Sequence, residues 1–165
     1  MRLSAVAIAV AGLASVALAP AAQGQRPDSQ ILPRSAELQH QGETLLAAGK
    51  FEQAEDALEA ALTIDPRNRW AFVDIARVAE KQHLFGKAVR MTSKALLLEP
   101  NDPDAIAVQG EAMVELGATA RAQANLQKLH SICAKGCPQL AQLSSAIMRG
   151  RTVTAAKAPA TSKAD

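Results

Sequence analysis

Aromatic side chains are nearly missing: the 165-residue chain has one Trp, three Phe and no Tyr. Stacking platforms for single-stranded nucleic acid need aromatic faces, and sandwiches and barrels draw on aromatic residues for their strands. Neither class is expected. No charge sign dominates either. Eighteen basic against 16 acidic side chains leave a net charge of +2, which gives no general electrostatic argument for nucleic acid or an anionic membrane. Cysteine is confined to Cys133 and Cys137. Their C-x-x-x-C spacing is neither C-x-x-C nor the C-x-x-C-H of c-type haem attachment. The length fits one domain with tails.

One long apolar run is present, at the N-terminus. Met1-Arg2 is a short basic start, residues 3–22 carry no charge, and Ala22-Gln23-Gly24 offers a small-x-small cleavage site. This is the layout of a signal peptide over residues 1–24, with the mature chain beginning near Gln25. The rival is an uncleaved anchor, since the run approaches the ~20 residues a span needs. Its richness in Ala and poverty in Leu, Ile and Phe favour cleavage. No Cys follows the run to take a lipid. The expectation is a periplasmic or secreted protein with no membrane attachment after cleavage. Residues 25–34, with Pro27 and Pro33, read as a flexible lead.

The middle of the chain repeats. Pro66 and Pro100 are 34 positions apart, as are Phe51 and Phe85, and Ala54, Ala88 and Ala122 keep the same step. Leu38, Phe72 and Ile106 do so too, as do Leu58, Thr92 and Leu126. Gly42, Ala76 and Gly110 form a further series of small residues. Self-similarity at this period marks stacked supersecondary units. Within each period the apolar spacing is helical: Leu38, Leu45 and Leu46 mark one face, and Ala54, Leu58, Ala61 and Leu62 another. Gly49-Lys50, the segment His83 to Gly86, and Gly117 separate the two helices of successive units. Asp102-Pro103 is a good helix start, and Ser35 is the expected N-cap of the first helix.

This pattern resembles the tetratricopeptide repeat. Three units are read, at 35–68, 69–102 and 103–136, with a capping helix over 137–149, so the domain spans 35–149. The family's eighth position is filled by Gly42, Ala76 and Gly110, and its twentieth by Ala54, Ala88 and Ala122. Ala61, Ala95 and Leu129 fill the twenty-seventh, and Pro66, Pro100 and Ala134 the thirty-second, so the third unit departs at the last two. The resemblance implies an all-α, right-handed superhelical solenoid, whose last repeat needs a solvating helix over its bare apolar face. Leu140, Leu143 and Ile147 supply that stripe, and Gly150 is expected to end the helix. Residues 150–165 read as a disordered tail.

The resemblance also implies a binding groove lined by the first helix of each unit. Its expected residues are Gln39, Glu43, Trp70, Val73, Asp74, Arg77, Lys81, Asp104 and Glu111. Trp70 divides evenly between groove and inter-helix packing, and Arg77 between a partner and its own Asp74 or Glu80. Some family members clamp a chaperone's C-terminal carboxylate with Lys, Arg and Asn. Here those positions hold Gln39, Glu43, Asp74, Asp104 and Val108, so a carboxylate is repelled and that role is not expected.

Little else suggests chemistry. Gly49-Lys50 lacks P-loop spacing, and Asn101, Asp102 and Asp104 read as a turn with a helix cap. His40 and His83 read as solvated surface. An exported chain makes Cys133 and Cys137 a disulfide pair that sets the angle of the capping helix, its small loop contributing roughly 2 kcal/mol or less. The expected function is a non-enzymatic adaptor or scaffold in the cell envelope, without cofactor or metal, that holds a peptide or helix of a protein partner and no nucleic acid. The apolar ends of the stack also offer self-association. The alternative is an exported thiol-redox or copper-handling factor that uses His130, Cys133 and Cys137.

Overall fold

The computed structural model describes residues 30–157, with side chains through residue 150. The expected signal peptide and the last eight residues of the expected tail lie outside these. Seven helices follow one another: α1 (Pro33–Ala47), α2 (Phe51–Ile64), α3 (Arg69–Lys81), α4 (Phe85–Leu98), α5 (Pro103–Glu115), α6 (Thr119–Ile132) and α7 (Pro138–Lys157). No strand occurs among the described residues. The architecture is an all-α solenoid of three helical hairpins closed by α7.

Local chemistry accounts for the punctuation. The Asn68 side chain caps α3 by accepting from the Ala71 N–H at 3.2 Å, and Asp102 caps α5 by accepting from Ala105 at 2.9 Å. Each hairpin turn ends its first helix with a left-handed residue: Gly49 (φ 72°), His83 (φ 59°) and Gly117 (φ 75°), again 34 apart. The following N–H then reaches back five residues, from Lys50 to Leu45, Leu84 to Ala79 and Ala118 to Met113. This closes the helix end by a Schellman-type bond. Glycine enters that conformation without a Cβ penalty, so His83 is the one strained turn of the three.

Three apolar clusters run along the stack. One joins Ala54, Leu58 and Ala61 to Ile75 and Val78, the next joins Val73, Ala76 and Ala88 to Val108, and the last joins Ile106, Ala122 and Leu129 to Leu143 and Ile147. Small residues set the helix separation. A Cβ on Gly42 would lie 2.5 Å from Leu58 Cγ, and one on Gly110 would lie 2.6 Å from a Leu143 methyl. Leu58, Ile106, Leu129 and Leu143 are fully enclosed, each worth roughly 1.5–3 kcal/mol of transfer free energy.

Three expectations at the ends of the domain need correction. The first helix starts at Pro33 with Leu32 as its N-cap, not at Ser35. Ser35 is instead buried: its hydroxyl donates to the Ala61 carbonyl at 2.8 Å and accepts from Asn68 Nδ2 at 3.0 Å, which ties the start of α1 to α2 and to the residue that caps α3. The supposed lead therefore joins the fold from Leu32 onward, where the Leu32 N–H donates to Asp65 at 3.1 Å. Burial pushes the Asp65 carboxyl up, but the Arg67 and Leu32 N–H groups and the Arg67 charge outweigh it and hold the pKa below the usual value. Finally, Gly150 does not end α7, which continues to Lys157. Gly150 lies where a Cβ would meet Val114 at 2.5 Å, so its smallness serves packing against α5.

Candidate protein-binding groove

The curvature follows from which helices touch. α1 contacts α3, α3 contacts α5 and α5 contacts α7, whereas α2, α4 and α6 make no direct contact with one another among the described residues. The first set therefore forms the crowded inner layer, and the second splays on the outside. The inner layer carries the groove.

A chain of polar contacts crosses this face from end to end. Gln39 of α1 donates to Asp74 of α3 at 2.5 Å, and Arg77 donates to Asp74 and to Asp104 of α5, each at 2.8 Å. Gln139 of α7 donates to Asp104 at 3.1 Å. Burial drives the Asp74 carboxyl above its usual pKa, while Gln39 and Arg77 pull it back. Among the described residues no buried side-chain nitrogen or oxygen lacks a partner. The ladder ties all four inner helices in one register and occupies several groups that the sequence assigned to a partner.

Expected groove residues thus divide into three sets. Val73 is 1% exposed and packs in the core, a correction that follows from its contacts with Ala76 and Val108 rather than with solvent. Gln39, Asp74, Arg77 and Asp104 form the ladder. Glu43 and Lys81 stay exposed, and Glu111 is half-buried. Trp70 is 36% exposed and borders a cleft of about 290 Å³ with Ala36, Gln39, His40, Glu43 and Asn68. The Arg69 guanidinium lies 4.1 Å from the centroid of the Trp70 ring and pairs with Asp102.

Glu80, half-buried on α3, belongs with these residues. Burial and the neighbouring Glu111 and Glu115 charges push its pKa up to about 8, against the pull of Arg77 and Lys81. Glu111 is raised too, mainly by burial, with Gln142 and Arg149 of α7 opposing. The contribution of α7 to the groove was not foreseen. Its signal was helical phase: Gln139 and Gln142 flank the apolar stripe that packs on α5 and α6.

Between α6 and α7, Cys133 and Cys137 have Cα atoms 5.7 Å apart with their sulfurs in contact, a separation that a disulfide spans. No three His, Cys, Asp or Glu residues group as a metal site among the described residues, so His130 does not complete a set with the cysteines. None of the described helices is long and apolar enough to cross a membrane.

Comparison with known proteins agrees with this architecture. Residues 45–112 match a family model described as a tetratricopeptide repeat. Solved structures of similar fold include the Sgt2 TPR domain from Aspergillus fumigatus, 19% identical with a TM-score of 0.69, covering 81% of this chain and 90% of that one. The first TPR of Spaghetti (RPAP3), bound to the HSP90 peptide SRMEEVD, is 16% identical with a TM-score of 0.65, covering 74% and 94%. PcrH in complex with the chaperone binding region of PopD is 21% identical with a TM-score of 0.61, covering 74% and 92%. No curated protein matches the chain.

Proposed function

We propose that this chain is a non-enzymatic adaptor of the cell envelope that receives a segment of a partner protein, as an extended peptide or a helix, along the face made by α1, α3, α5 and α7. The observation that carries the reading is the groove itself. A polar ladder fixes its floor, and above that floor Trp70, Glu43 and Lys81 meet solvent. Rigid, preorganised surfaces bind with less ordering cost, and a half-exposed Trp is a common interface anchor. Similar folds are found with peptides bound, among them the RPAP3 domain with an HSP90 peptide and PcrH with a region of PopD. Placement outside the cytoplasm rests on residues 1–24, read as a cleaved signal peptide. In that compartment Cys133 and Cys137 form a disulfide that fixes how α7 enters the stack.

Site-specific photo-crosslinking in the native cells tests this reading. A crosslinker at Lys81, on the inner face, should capture one discrete partner, while the same group at Arg90 of α4 should capture none. Equal adducts at both positions, or adducts at Arg90 alone, would remove the groove from the account.

A further inference from the structure

The charges of the groove narrow the chemistry of its occupant. On the inner face Arg77 is shared between Asp74 and Asp104, and Lys81 and Arg149 are the other cations set against Glu80 and Glu111. Opposite Arg77, α5 carries Asp104, Glu111 and Glu115 and no cation. The outer helices have the reverse balance in the second and third units: α4 holds Lys87, Arg90 and Lys94, and α6 holds Arg121 and Lys128, with no acid in either. Glu80, Glu111 and Glu115 thus gather on one concave surface, where the charges of Glu111 and Glu115 oppose ionisation of Glu80. A groove lined by one sign steers ligands of the other.

The Trp70 cleft points the same way. Its walls are the indole and the small Ala36, and the rest of its lining is polar: Gln39, His40, Glu43 and Asn68. An aromatic face beside a carboxylate suits a cation better than a bulky aliphatic group. Arg69 over the ring is an intramolecular instance of the same contact.

We propose that the groove holds a cationic segment of the partner, with one lysine or arginine in the Trp70 cleft beside Glu43 and a second cation at Glu80 and Glu111. This deepens the groove reading and rests on it. The spacing follows from geometry. Trp70 and Glu80 are ten positions apart on one helix, about 15 Å at ~1.5 Å per residue. An extended segment covers that in about four to five residues at ~3.3–3.6 Å each. The matching pattern is two cations separated by three or four residues.

Trp70 is the chain's one tryptophan, so its emission reports on the cleft directly. The test titrates the whole chain with three synthetic peptides of equal length, identical except that the two cation positions carry Lys, Gln or Glu. Trp70 emission and calorimetry are read together. The Lys peptide should bind at least roughly tenfold tighter than the Gln peptide, shift the Trp70 emission and weaken with added salt, and the Glu peptide should not bind. Glu43→Gln and Glu80→Gln should each weaken the Lys peptide by about fivefold, with helical content unchanged. Equal affinity for all three peptides, or preference for Glu, would overturn the cationic occupant while leaving the groove in place. Lys-peptide binding that leaves Trp70 emission and the Glu80→Gln affinity unmoved would put the site elsewhere and overturn it as well. Absence of binding by all three also overturns it, and crosslinking at Lys81 then decides the groove separately.

Discussion

The two sides of α3 obey different rules. One side is alanine and aliphatic: Ala71, Ile75, Val78 and Ala79 are 0–2% exposed and meet α2 and α4. The other side carries Trp70, Asp74, Arg77, Glu80 and Lys81 and faces the groove. Size decides the first side, because an added methyl group has nowhere to go. Sign of charge decides the second, because Asp74, Arg77 and Glu80 are each held or repelled by a charge on a neighbouring inner helix. The scaffold and the recognition surface are thus built from one helix by two kinds of constraint, and they should fail differently.

The largest effect should come from emptying the scaffold. Leu58 is fully enclosed against Gly42, so Leu58→Ala is expected to cost about 2–5 kcal/mol in urea unfolding. A loss under about 1 kcal/mol would mean that this contact is not close-packed. Overfilling comes next. Ala88 is 0% exposed, and Ala88→Leu should cost about 1–3 kcal/mol; an unchanged melting temperature would show that the 34-residue frame is misplaced. Arg77→Met keeps bulk but removes charge, leaving Asp74, 2% exposed, short of a partner. That should cost about 1–3 kcal/mol, and a neutral result would deny the ladder its role.

Smaller effects sharpen the contrast further. Glu80 has its folded pKa raised from 4.5 to about 8, so the folded chain holds a proton that the unfolded chain releases over that window. The corresponding stability is present below pH 4.5 and is lost as pH rises through 8. Glu80→Gln should therefore melt higher than the parent at alkaline pH and near it under acid conditions, while weakening a cationic ligand. A glutamate that harms the fold and helps binding marks a recognition surface. If Glu80→Gln shows no pH-dependent gain, Glu80 is better solvated than its neighbours imply. The smallest change is His83→Gly. It relieves the φ of 59° but loses the edge contact to Phe85, whose ring centroid lies 5.7 Å away. A gain of about 0.5–1 kcal/mol is expected, readable as a small rise in melting temperature.

Much of the scaffold was legible in the chain because spacing alone encodes it. The series Ala54, Ala88, Ala122 falls where helices meet, each 0% exposed, and Gly42 and Gly110 fall where a Cβ would strike leucine. The groove was legible only as a list of helix positions. Which of those side chains would be taken by another helix depends on partners far along the chain. Arg77 finds Asp104 across 27 residues and Gln39 finds Asp74 across 35. Periodicity does not specify such pairs, so Arg77 was read as a choice between a partner and its own helix when it joins two helices. Val73 failed for a related reason: one residue of helical phase separates the lining from the core, and Val73 turns inward. Ser35 looked like a cap because local chemistry allows it, whereas the buried bonds to Ala61 and Asn68 claim it.

The most direct test of the central claim, that the inner face is the recognition surface, is amide chemical-shift mapping of the whole chain with the Lys peptide. The account predicts perturbations at the Trp70 indole N–H and at Gln39, Glu43, Glu80 and Glu111, with α4 and α6 unmoved around Arg90, Lys94 and Arg121. Perturbations centred on those outer helices, with the Trp70 indole unchanged, would contradict it.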